Sequence, residues 1–456
     1  MPKSIVGYLA LPSLFFAVPV HAQQATAGQD TGTESRLKLS GSIRARYEVL
    51  DGQFRPGFDD KDDLVSLRTT LLAEFDAAPL RFGAELYDSR AYDIDSGSIL
   101  TTGEVNAFEL VQAYVATDIT EPLGKDTSLS VQAGRFTLNL GSRRLVAADD
   151  YRNTTNGYTG VRADLKLDKL TNATLFYTLP QQRQPSSFQD LRDNKVKVDR
   201  EGFDLQLWGG LVSRKKLFGN TTGELGYVRL QEDDRAGRPT RNRNLHTFSV
   251  RLIRDPAPGH LDYEVEGMYQ TGAIRSGLAV AAAALDVNAG FVHADLGYSF
   301  AKGWKPRVSI EFDYATGDKQ GRTFSRFDTL FGMRRADLAP AGIYAALGRT
   351  NLATLGLRAE VTPSKRFDAF ANARVLWAAS ASDSFSTTGV RDATGASGRF
   401  AGYQLESRLR YWIVPKTVRA EFNGAFLIKR GLLRTAPNAT PWGNTRYGSF
   451  ALTFSY

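Results

Sequence analysis

Arginine recurs at alternate positions of this sequence, and carboxylates share its phase. Arg44 and Arg46 precede Glu48, Arg162 precedes Asp164, Arg358 precedes Glu360, Arg408 and Arg410 follow Glu406, and Arg419 precedes Glu421. In extended chain, residues two apart lie on one face. The same phase collects Lys38, Arg68, Arg81, Arg251, Arg307 and Arg374, together with Glu74, Glu85, Asp204, Asp262, Glu264, Glu266, Asp313 and Asp368. Two chemistries suit such a face. Nearly matched charges can cancel one another as ion pairs, which offsets the cost of holding charge against a low-dielectric wall. Alternatively, a guanidinium fork grips a carboxylate through two bonds and, being weakly hydrated, releases it to the next, which makes a ladder for anions. For any single arginine the sequence supports both.

Other chemistries find less support. The chain has no Cys, which excludes disulfides, thiolate metal sites, thiol catalysis and a lipid-modified N-terminal Cys. His246, His260 and His293 are dispersed without His-x-x-x-His spacing, so no transition-metal site is expected. A hydrolase would need a Ser or Asp beside a His near a rim, whereas His246 falls on the apolar face and reads as an interfacial anchor. The acidic runs Asp59-Asp60-Lys61-Asp62-Asp63 and Asp93-Ile94-Asp95 have the ligand type for Ca²⁺ but read first as solvated loop charge. Ala281 to Ala284 would suit a short helix or plug in its loop. Glycine-rich phosphate loops are absent, and a net charge of +8 without a basic stripe does not indicate nucleic-acid binding. No cofactor is expected.

The elements that must carry these arginines are strands. From Leu37 to Val49 apolar and polar residues alternate over 13 positions, longer than the usual globular strand and the length of a tilted membrane strand. Eighteen such runs follow one another, the last being Thr445 to Tyr456, with Phe450, Leu452, Phe454 and Tyr456 on one face. The links between runs alternate short and long. Ala77-Ala78-Pro79, Asp168-Lys169-Leu170, Pro363-Ser364-Lys365 and Val414-Pro415-Lys416 are short and turn-like, while Asp318 to Thr350 is the longest. This asymmetry predicts an all-β fold: a transmembrane, antiparallel, up-and-down β-barrel of about 18 strands, with short periplasmic turns and long extracellular loops. The final strand would pair with the first and leave no edge.

Residues 1–22 carry Lys3, an uncharged apolar run and Val20-His21-Ala22, which describes a cleaved signal peptide. Its removal would lower the charge from +8 to +7, since it holds one Lys and no acid. Residues 23–35 are small and polar and read as a disordered leader, which leaves 36–456 for the barrel. The expected surroundings are outer-membrane lipid and lipopolysaccharide of a Gram-negative bacterium, with the barrel-assembly machinery engaging the C-terminal strand. A lumen of 18 strands is wide enough for water unless loops fold inward.

One stretch carries a family resemblance. Gly134 to Val146 reads G-R-F-T-L-N-L-G-S-R-R-L-V and is followed at Tyr158 by Y-T-G-V-R; further on come Tyr314-Ala315-Thr316-Gly317-Asp318, Thr323-Phe324 and Leu330-Phe331. This pattern resembles the alginate-export family of outer-membrane porins. The family differs in having Phe-Asp where this chain has Tyr158-Thr159. The resemblance implies an 18-stranded barrel with an arginine-rich constriction through which a polyuronate leaves the cell. It matches Arg135, Arg144 and Arg162 to the family's arginines and leaves Arg143 as an extra one beside them. General porins also occur in this family.

Together these observations predict an outer-membrane channel, not an enzyme, that passes an anionic polysaccharide or small acidic solutes by passive selective diffusion. The candidate binding residues are Arg44, Arg46, Arg68, Arg135, Arg143, Arg144, Arg162, Arg358, Arg374, Arg408 and Arg410. A general or uptake porin and a barrel hydrolase are the alternatives.

Overall fold

The computed structural model describes residues 36–456 apart from Asp150, Gln320, Arg335, Ala336 and Ala339. The expected signal peptide and leader lie outside the described residues. The first strands are β1 (Leu37–Asp51), β2 (Lys61–Ala77), β3 (Leu80–Tyr92), β4 (Asn106–Thr120), β5 (Ser128–Phe136) and β6 (Tyr158–Lys166). Next come β7 (Thr171–Pro180), β8 (Leu205–Phe218), β9 (Thr221–Glu232), β10 (Asn244–Arg254), β11 (Leu261–Arg275), β12 (Ala284–Ser299) and β13 (Arg307–Ala315). The last are β14 (Thr323–Phe324), β15 (Leu352–Ser364), β16 (Phe367–Trp377), β17 (Phe400–Val414), β18 (Val418–Lys429) and β19 (Thr445–Ser455).

Eighteen of these form the wall. β14 is a two-residue piece of the loop between β13 and β15, and it lies parallel to β12 at Asp286 and Val287. Every wall strand is antiparallel to its neighbours, and β19 returns to β1 with Phe450 opposite Tyr47 and Thr453 opposite Arg44. The sheet is therefore a closed 18-stranded antiparallel barrel.

Burial runs opposite to that of a water-soluble protein. Along β1, Leu39 and Ile43 are 59% and 48% exposed, while Arg44 and Glu48 are 5% and 1% exposed. Only a wall with lipid outside favours that inversion, because the apolar face then needs no protein cover. The links alternate as the sequence implies. Eight links of two to seven residues sit at one end, and nine of eight to thirty-six residues sit at the other. β2 and β8 extend beyond the apolar alternation that marks them. The end of β8, Ser213 to Phe218, is wet on both faces, so no apolar period reveals it.

The long loops fold into the barrel. One apolar cluster joins Phe54, Leu100, Leu338, Tyr344, Leu347, Phe385 and Leu432 from five different loops to wall residues such as Leu64 and Leu427. A second packs Leu138, Leu145 and Val146 of loop 137–157 and Phe327 of loop 316–351 against Phe176, Leu207, Val228 and Phe291 of the wall. The alanine run makes no helix. Ala281 to Ala283 lie in the turn, and Ala284 opens β12, because pairing of Ala284 with Arg275 starts a ladder there. The described helices are elsewhere: α1 (Phe188–Arg192), whose Ser187 side chain accepts from the Asp190 amide, and α2 (Leu432–Thr435).

Candidate arginine site in the lumen

Loops 137–157 and 316–351 meet inside the barrel and zip together along their backbones. The Phe331 amide donates to the Leu145 carbonyl at 3.0 Å, the Ala147 amide to Phe331 at 3.1 Å, and the Met333 amide to Arg143 at 3.0 Å. Gly332 permits this approach, because a Cβ there would overlap the Arg144 carbonyl. Wall arginines tie the ribbon down. Arg46 donates to the Tyr151 carbonyl at 2.7 Å, and Arg44 and Arg68 donate to that of Arg152 at 2.5 and 3.2 Å.

Arg143 and Arg144 then point opposite ways. Arg144 is 3% exposed. Its Nε and Nη2 donate to Asp337 of the other loop at 2.8 and 2.7 Å, and its Nη1 donates to Glu266 of β11 at 2.6 Å and also to Glu264. Arg349 shares Asp337. Burial pushes the Asp337 carboxyl up, but Arg144 and Arg349 outweigh it and hold the group well below the usual carboxylate range. With all three nitrogens engaged and the side chain buried, Arg144 fastens the two loops and the wall.

Arg143 instead lines a cavity of about 310 Å³ with Arg44, Arg46, Arg358, Arg408, Arg410 and Arg419; among the described residues the only carboxylate on its lining is Glu421. Those seven arginines come from β1, β15, β17, β18 and the ribbon. Two aromatic rings support them: Arg358 and Arg408 lie 3.8 and 4.9 Å from the Phe370 centroid, and Arg46 lies 4.2 Å from that of Tyr151. Carboxylates that do not line the cavity partly pair them. Asp368 accepts from Arg408 and Arg410 at 2.9 and 3.0 Å, and Glu360 forms an ion pair with Arg358 at 3.1 Å. Guanidinium planes held flat by rings and offered to a cavity with one described acid can bind carboxylates and stack on sugar faces.

The remaining sequence-predicted residues lie elsewhere. Arg374 is buried among Glu311, Asp313 and Glu406. Arg135 pairs with Glu109 and Glu201, and Arg162 with Asp164. Arg68 sits beside the cavity, on the Arg152 carbonyl. Sequence reasoning missed Phe370 and Tyr151. Phe370 is legible in principle, since it shares the alternating phase of Asp368 and Arg374. Asp337 and Arg349, which consume the charges around Arg144, carry no local signal.

The histidines divide similarly. His246 faces outward, its Nδ1 2.8 Å from the hydroxyl of Tyr227, whose ring also packs near Phe248. His293 faces the lumen, 2.8 Å from Asp313 and grouped with Asp337, but both oxygens of Asp337 are occupied by guanidinium groups, which disfavours a metal there. No described Ser, Thr or Cys side chain is a hydrogen-bond partner of His293, as a hydrolase nucleophile would be. In the acidic runs, Asp62 accepts from the Ile99 amide at 2.9 Å and Asp63 from the Tyr47 hydroxyl at 3.0 Å; they are bound to loop and wall.

A closed 18-stranded barrel, apolar outside and charged within, with its long loops at one end, defines a porin-type channel of the Gram-negative outer membrane. The profile of the alginate export family matches residues 35–439, and the chain belongs to that family. Solved structures share the fold at low identity. A BenF-like porin from Pseudomonas fluorescens Pf-5 is 12% identical with a TM-score of 0.61, covering 92% of this chain and 98% of its own. OccK2 (OpdF) of Pseudomonas aeruginosa, solved in complex with glucuronate, is 11% identical with a TM-score of 0.57, covering 91% and 96%. OpdK of the same organism, solved with vanillate, is 10% identical with a TM-score of 0.55, covering 92% and 98%. A search of curated proteins found no match.

Proposed function

We propose that this channel passes carboxylate-bearing saccharides by passive diffusion, with the arginine cavity as its selective step. The observation that carries this is the composition of that cavity, seven arginines against Glu421 among the described residues of the lining. A fixed excess of guanidinium groups binds anions repeatedly and weakly, which favours conduction over capture. Arg143, Arg358, Arg408 and Arg410 are assigned the gripping role, and Phe370 supports two of them. Arg144, Arg374, Arg135 and Arg162 are assigned to holding the structure. The family's name supports a uronate polymer as the solute, and the protein acts without catalysis.

A second reading, uptake of single acidic sugars or aromatic acids, is favoured by the narrowness at the loop ribbon. There the cavity is at the lower end of ordinary ligand pockets, roughly 300–1,000 Å³. Glucuronate and vanillate in two structural neighbours are both carboxylates. Single-channel recording in planar bilayers tests the proposal. Anion-selective steps blocked by oligouronates support polymer passage, block by monomers alone supports the second reading, and unselective steps overturn both.

A further inference from the structure

At the long-loop end, away from the arginine cavity, loops 233–243 and 316–351 enclose a second cavity of about 530 Å³ with the end of β11. Three arginines line it, and two are spent. Arg243 gives Nε and Nη2 to Glu232 at 2.9 and 2.7 Å and Nη1 to Asp328 at 2.8 Å. Arg326 donates to Asp383 and to the Ser384 carbonyl, both at 2.7 Å.

Arg241 differs. Its Nε donates to the Arg275 carbonyl at 2.8 Å, and its guanidinium lies 4.6 Å from the Phe324 centroid. Among the described residues no carboxylate oxygen lies within 4.0 Å of it, and its two terminal nitrogens have no partner. On the same lining, the Thr350 hydroxyl is buried with no hydrogen-bond partner. Burial draws the Arg241 guanidinium below its ordinary value, offset in part by Asp318, Asp328 and Glu232 acting from a distance, so an arriving anion would meet a guanidinium that no described carboxylate contacts. Stacking on a ring holds the fork flat, as bidentate carboxylate recognition requires.

We propose that this mouth cavity is a docking site for a carboxylate carried on a ring, with Arg241 gripping the carboxylate, Phe324 backing the guanidinium and the Thr350 hydroxyl taking a ring substituent. The site stands apart from the arginine cavity and does not depend on the selectivity assigned to it. A uronic acid and an aromatic acid share this chemistry.

The test is calorimetric titration of the detergent-solubilised barrel with D-glucuronate, benzoate and D-glucose, paired with reversal potentials in bilayers. Arg241→Met is expected to weaken carboxylate binding about tenfold, the loss of roughly 1.4 kcal/mol from a charged hydrogen-bond pair, while anion selectivity stays unchanged. Arg241→Lys retains charge without the fork and should fall between. Tighter binding of glucuronate identifies a sugar acid, and tighter binding of benzoate an aromatic acid. Arg408→Gln with Arg410→Gln separates the two sites: it should alter selectivity and leave the Arg241-dependent binding in place. Wild-type binding by Arg241→Met, or equal binding of D-glucose, overturns the site. Unselective wild-type currents with Arg241-dependent binding retained would remove the channel's proposed selectivity and leave this site standing.

Discussion

Two arginine clusters share the lumen and behave differently. Between the loop ribbon and β11, β13, β16 and β17, Arg144, Arg349 and Arg374 meet Asp337, Glu264, Glu266, Glu311, Asp313 and Glu406, and the arginines are 3%, 1% and 2% exposed. Beside them, with Glu311 reaching Arg358 as well as Arg374, seven arginines from β1, β15, β17, β18 and the loop ribbon share a cavity on whose described lining Glu421 is the one acid. Residue type is the same. What separates a fastener from a gripper is the number of carboxylates delivered to each guanidinium and whether a loop covers it. A buried charge must be paired on every side, whereas a cavity-facing one can keep donors for a visitor.

Breaking the first cluster should have the largest effect. Arg144→Ala leaves two buried carboxylates, Asp337 and Glu266, and the half-buried Glu264 short of a partner, at a cost of about 3–5 kcal/mol. The two loops should part, giving larger, flickering conductance steps and earlier thermal unfolding. Unchanged steps would mean that Arg144 is not a fastener. Gly332→Val attacks the same junction from the backbone, since its Cβ would displace the Arg144 carbonyl. A smaller rise in conductance is expected, because the Asp337 contact survives; a closed channel would contradict the ribbon's role as the narrowing element.

The second cluster should respond in the opposite sense. Arg408→Gln with Arg410→Gln removes partly exposed pairs with Asp368, so stability should move by less than about 1 kcal/mol. The reversal potential should nevertheless shift toward cations. Loss of stability without a change of selectivity would make the two clusters alike and break the comparison.

The smallest effect is expected in loop 181–204, outside both clusters. Burial, with Glu109 adding to it, pushes the Asp199 carboxyl up to about 6, although the Gln184 amide and the Asn106 side chain donate to it at 2.8 and 2.7 Å and Arg183 offsets part of the rise. A raised carboxyl favours the protonated form in the folded state. Its contribution is therefore complete below the unfolded value, about 3.9, and is lost as pH rises through about 6. Hydrogen exchange in this loop, corrected for intrinsic rates, should be faster at pH 7 than at pH 5, and Asp199→Asn should remove the difference. Equal protection at both pH values in the unmodified protein would show that Asp199 does not tie the loop.

The sequence alone determined the wall. Period two is local, so alternation from Leu37 to Val49 and through seventeen further runs placed Arg44, Arg46, Arg358, Arg408 and Arg410 on the inner face, and link lengths placed turns and loops at opposite ends. Tertiary structure decided which arginines reach the cavity and which are buried among carboxylates. Arg143 and Arg144 are adjacent and alike, yet one lines the cavity and the other is locked by Asp337, 193 residues away. The family resemblance singled out Arg144 and counted Arg143 as an extra; the inward fold of two loops put Arg143 on the cavity lining and buried Arg144. No periodicity encodes that outcome, because it depends on carboxylates supplied by distant segments and on the packing of loop side chains that brings them together.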